Sequence, residues 1–141
     1  MKVVSTIARY LLGVTFVVFG LNGFLNFIPM PAPTGIAGQF AGALYVSHYL
    51  PVIMLIQLIG GILLLANRFV PLALTILGPV VANIFFFHIF MDASGIPRAI
   101  FVIVLWFAVA YSVRSAFAGL FQARVDDLAV SKTEFTRATA R

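Results

Sequence analysis

The chain has 141 residues, of which 62% are hydrophobic and only 9% charged, with a mean hydropathy of +1.11. Soluble domains carry about 25% charged residues, so this composition excludes a water-facing surface, and the length suits one domain of about four membrane spans. The net charge of +5 sits at the ends of apolar runs and in the tail, which fits lipid headgroups and excludes a nucleic-acid-binding stripe.

The chain opens with a short basic lead to Arg9, in which Lys2 and Arg9 are the charges. A first span is predicted over residues 4–28, stopped by Pro29 and Pro31. Its apolar start resembles a signal-peptide core but lacks a small-x-small cleavage motif, so it reads as a retained helix. Gly13, Gly20 and Gly23 recur at helical spacing and predict a seam where another backbone comes close. Asn22 and Asn26 form an i,i+4 pair that needs hydrogen-bond partners or an interfacial position.

Residues 29–50 are rich in proline and small side chains and carry no charge. They predict an interfacial or re-entrant helix bearing Gln39 and His48. A second span follows over 49–66, with Gln57 in its middle and Gly60-Gly61 as a point of close approach or bending. After the turn at 67–71 comes the most polar-marked apolar run, 72–91, which holds Pro79, Asn83 and His88 without one charged residue. Asn83 and His88 are five residues apart, about 140° round a helix, so they do not share one narrow face. A turn with Asp92 and Arg98 as a candidate pair leads to a fourth span over 99–117. There Ala108, Ser112, Ser115 and Gly119 read as a small-residue stripe, and the Trp106 indole needs a partner if it points inward. Residues 120–141 read as a partly disordered cytoplasmic tail.

These elements predict an all-α integral membrane four-helix bundle. Placing both termini in the cytoplasm puts Lys2, Arg9, Arg68, Arg114 and Arg124 at that side and leaves only Arg98 outside, as the positive-inside rule asks. The same topology gathers Asn22, Asn26, His48 and His88 in the outer half, with Gln57 and Asn83 nearer mid-membrane. Two readings stand for these six side chains. They either bind a quinone or another neutral lipid-like ligand, with histidine as hydrogen-bond donor or proton relay, or they hydrogen-bond between helices.

The chain has no cysteine, so it cannot itself perform thiol–disulfide exchange, which needs a thiolate. Two histidines forty residues apart do not supply the three protein ligands of a catalytic zinc, and no metal site is assigned. No glycine-rich phosphate loop and no nucleophile–base arrangement is present, which leaves open whether the chain is an enzyme. The middle thirds of the spans also lack the carboxylate or arginine common in ion channels and pumps.

Arg9 with Gly13 and Gly20, the AsnGlyPhe turn at Asn22, Gly60-Gly61, and above all the run from Gly78-Pro79 through Asn83 to His88 resemble the DoxX family over residues 7–117. That resemblance implies a compact four-helix bundle in the bacterial inner membrane. It also implies an accessory subunit beside quinone reduction or a redox partner protein. The alternative is a non-catalytic membrane protein of partner assembly or small-molecule permeation, with a second copy of itself among the candidate partners.

Overall fold

The computed structural model describes residues 2–121, and every regular element in it is helical. Helix α1 spans Lys2–Leu25, α2 Gly35–Val46, α3 Tyr49–Leu65, α4 Val70–Phe90 and α5 Ile96–Ser112. A 3-10 turn at Ala93–Gly95 leads into α5, and a second at Arg114–Phe121 follows it. The predicted tail lies outside the described residues from residue 122 onward.

Helix α1 ends earlier than the prolines suggest. Asn26 takes up a left-handed conformation (φ 50°) and its N–H closes on the Asn22 carbonyl at 2.9 Å, a C-terminal stop that asparagine tolerates well. Helix α2 buries only Ala37 and meets α3 at a bend of 87°, with His48 (φ 59°) at the corner. The predicted short helix between the first two long ones is therefore present, and its bend fits either a re-entrant segment or the first half of a broken span. Helix α3 has 17 residues, about 25 Å of rise, against a hydrocarbon core of about 30 Å. Its end is sealed by a Schellman motif: Asn67, left-handed at φ 53°, donates to Leu64 O at 3.2 Å, and Arg68 N donates to Leu63 O at 3.1 Å.

Helix α4 runs unbroken through Pro79. Helix α5 stops at Ser112 rather than at 117, and the chain tightens into 3-10 geometry. The anticipated stripe of Ala108, Ser112, Ser115 and Gly119 therefore does not continue along one α-helical face. A Cβ added at Gly119 would meet nothing within 4 Å.

Helices α1, α3, α4 and α5 close a ring in which α1 touches α3 and α5, and α4 touches α3 and α5. Successive members of the ring run antiparallel. The fully buried Leu12, Phe16, Leu64, Leu74, Leu77 and Val109 fill its centre. Hydrophobic transfer gives little drive between helices in lipid, so dispersion at close approach has to hold them. The glycines permit that approach. A Cβ at Gly61 would lie 2.9 Å from the Gly13 carbonyl oxygen and from Val17 N, and one at Gly20 would lie 3.0 Å from Leu58 N. The predicted seam is thus the α1–α3 interface, while Gly60 makes room for Leu77 of α4.

The outside of the ring is apolar, with Val3, Leu25, Val46, Phe86, Phe90 and Phe107 all exposed. A soluble monomer does not carry such a continuous apolar exterior. Three helical segments are long and apolar enough to cross a membrane: Val3–Leu25, Val70–Phe90 and Ala93–Ser112. The bent pair α2 and α3 supplies a fourth crossing when taken as one broken span. The protein is an all-helical, multi-span membrane protein.

Candidate functional site

At the end of the ring where α1 begins, the α3–α4 turn lies and α5 finishes, Arg9 is 8% exposed. The sequence suggests a headgroup contact in the lead. The structure instead puts Arg9 two turns into α1, on the face that Gly13 continues four residues later. Its guanidinium donates from Nη1 to the Leu64 carbonyl and, at 3.5 Å, to the Leu65 carbonyl, and lies 4.4 Å from the centre of the Tyr10 ring. A cation at the carbonyl end of a helix complements the dipole there, worth about 0.3–2 kcal/mol. Among the described residues no carboxylate pairs with Arg9. The signal that finds it is its register with the glycine seam.

At the opposite end, the polar residues are engaged to different degrees. Asn22 is buried and holds the Ile28 backbone at both ends: Ile28 N donates to Oδ1 at 2.6 Å and Nδ2 donates to Ile28 O at 3.3 Å. Asn26 is exposed and serves as the stop of α1. Gln39 and His48 are exposed, and His48 Nδ1 lies 3.4 Å from Tyr45 O. His88 is half-buried, with Nδ1 3.1 Å from Asp92 O and 3.6 Å from the Asp92 carboxylate. Its ring rests on Gly95 so closely that a Cβ there would sit 2.0 Å from Cε1. Gly95 must be glycine for His88 to lie down on the turn.

Asp92 does not form the ion pair with Arg98 considered from sequence. It accepts from the Ser94 hydroxyl at 2.6 Å and from Ser94 N at 3.2 Å. The Ser94 hydroxyl is the main reason its carboxyl is held below the usual range, aided by the Ser94 amide, His88 and Arg98 and opposed by partial desolvation. Among the described residues no three histidine or carboxylate side chains converge as they would around a metal ion.

Deeper in the ring, Gln57 is buried and donates to Met54 Sδ at 3.9 Å, beside the contact that Met54 makes with Gly23. Asn83 points the other way. It is exposed on the outer surface of α4, and its amide has no hydrogen bond among the described residues. Burying an unpaired amide in hydrocarbon costs roughly 2–7 kcal/mol. Asn22, Asn26, Gln57, His48, Asn83 and His88 thus occupy separate settings.

A shallow, open groove of about 440 Å³ lies between α4 and α5, within the roughly 300–1,000 Å³ range of small-molecule sites. Gly78 and Ala82 form its floor on α4, and Phe85, Phe86, Trp106 and Phe107 supply its aromatic walls. It opens sideways, towards where lipid lies. A Cβ added at Gly78 would be an ordinary 3.6 Å from Trp106 Cζ2, so the floor has spare room. Trp106 is fixed there because its indole N–H donates to the Leu74 carbonyl at 3.1 Å, satisfying the partner that sequence demands of it. None of the six polar candidates lines this groove. No family model, characterised protein or solved structure matches the chain.

Proposed function

We propose that this protein is a four-span, inner-membrane accessory subunit that holds a neutral lipid-like ligand of the isoprenoid quinone class in the α4–α5 groove. The groove carries the reading. It is apolar, walled by four aromatic side chains and open laterally, so a ligand dissolved in the bilayer enters without crossing water. Its chemistry suits stacking on a ring and dispersion along an isoprenoid tail. His88 and Asn83 belong to the same helix but outside the lining, so their part in ligand binding is indirect.

Arg9, Arg68 and Arg114 lie at one end of the ring and Arg98 at the other. The positive-inside rule then places the first end in the cytoplasm, with both termini of the helical region on that side. In this orientation the run from Gly78-Pro79 to His88 forms the outer part of α4, and the resemblance of that run to DoxX-type subunits is what suggests a redox context.

The test is gentle purification followed by mass spectrometry of co-extracted lipids, with Gly78→Phe alongside to fill the groove. The parent is expected to retain an isoprenoid quinone, and the folded variant to lose it by about tenfold or more, equivalent to ~1.4 kcal/mol. Bulk phospholipid alone in both preparations, or equal quinone in both, overturns the reading.

A further inference from the structure

The exposed face of α4 runs through Leu72, Pro79, Asn83, Phe86 and Phe90. It is uncharged, and Asn83 is its polar exception with an unmet hydrogen-bonding group, since Thr75 turns its hydroxyl back to Pro71 O at 2.9 Å. Asn83 lies seven residues before the end of α4, about 10 Å along the axis. An asparagine side chain is too short to bring its amide from there to the headgroups in the way that lysine or arginine can. The amide therefore faces hydrocarbon unless another protein surface covers it.

We propose that this face of α4 is the contact between two copies of the chain, related by a two-fold axis along the membrane normal and joined through their Asn83 amides. The inference rests on the reading of α4 as a membrane span. An amide carries donors on Nδ2 and an acceptor on Oδ1. On a two-fold axis each Nδ2–H reaches the other copy's Oδ1, so the residue completes itself twice with one contact. The two amides also stand at the same depth by symmetry, which an unrelated partner would have to match. The rest of the face has no charge for a different partner to complement. Phe86 also walls the groove, so the two-fold contact is centred on Leu72, Pro79, Asn83 and Phe90, none of which lines it.

The chain has no cysteine of its own, so an introduced one reports alone. Phe90→Cys, on the proposed face and outside the groove lining, is compared with Val104→Cys, exposed on α5, by oxidative cross-linking in native membranes. The expected result is a cross-linked dimer from Phe90→Cys and little from Val104→Cys. Adding Asn83→Leu should weaken dimerisation by about tenfold or more, as two interhelical hydrogen bonds are lost, read by dilution in reconstituted vesicles. Equal yields at the two cysteines, no response to Asn83→Leu, or cross-linking only to a protein of different mass overturns the proposal. Retention after alkaline washing tests the span separately: a washed-off protein defeats both readings, whereas a retained monomer defeats only this one.

Discussion

The α1–α3 contact and the α4–α5 contact are built on opposite principles. In the first, backbone meets backbone: Gly13, Gly20 and Gly61 remove the side chains that would keep the helices apart, and Arg9 binds the end of one helix to the body of the other. In the second, side chains set the separation, the Trp106–Leu74 hydrogen bond ties the helices, and a groove of about 440 Å³ remains. One contact is closed to any added atom and the other has room to spare. A membrane bundle can thus keep a rigid wall and an accommodating one by the placement of a few small residues, because close approach is what holds helices together in lipid.

The largest expected effect is at the closed wall. Gly61→Leu places its Cβ within 2.9 Å of backbone atoms of α1, so the helices themselves must separate. A loss of at least about 1–3 kcal/mol is expected, measured as a drop in thermal unfolding temperature in detergent. Gly78→Ala is the matched change at the open wall, where the neighbour is a comfortable 3.6 Å away, and should stay within about 0.5 kcal/mol of the parent. Equal costs at the two positions would erase the distinction.

A smaller effect is expected where the closed wall is tied at its end. Arg9→Met keeps the length of the side chain and removes the charge and donors that serve Leu64 and Leu65. A hydrogen bond to a charged group is worth about 1.5–3 kcal/mol. The Schellman motif still engages the Leu64 carbonyl, so the lower part of that range is expected in denaturant titration. An unchanged midpoint would show that Arg9 contributes nothing net to the wall.

The smallest effect concerns the turn that follows α4. The Asp92 carboxyl is held below its unfolded value, chiefly by Ser94. Its contribution is therefore fully present above the ordinary aspartate pKa of about 3.9 and is lost as pH falls through the lower folded value. Asp92→Asn should flatten that acid limb and leave stability at neutral pH nearly unchanged, since the group is solvent-screened. Parallel stability–pH curves for parent and variant below about pH 4 would refute the assignment.

Much of the frame is legible in the residues alone. The membrane class, the helical segments and the glycine seam all follow from composition and spacing, because apolar length and small-residue periodicity have direct geometric meaning. The ends of α1 and α5 are less legible. A left-handed asparagine stops α1 and a change to 3-10 geometry ends α5, and neither leaves a mark as strong as a proline. The polar residues show the same limit. Spacing separates Asn83 from His88, yet nothing in it says that Asn22 would close on Ile28, that Arg9 would cross to α3, or that Asn83 would face outward.

By itself, then, the sequence determined that the chain forms apolar helices for a lipid environment and which residues share a helical face. The tertiary structure alone decided which of those faces meet protein, which meet lipid, and where a cavity is left. The physical reason lies in the solvent. In water an amphipathic pattern announces the buried side of a helix, but in hydrocarbon both sides are apolar, and only the neighbouring helices distinguish them.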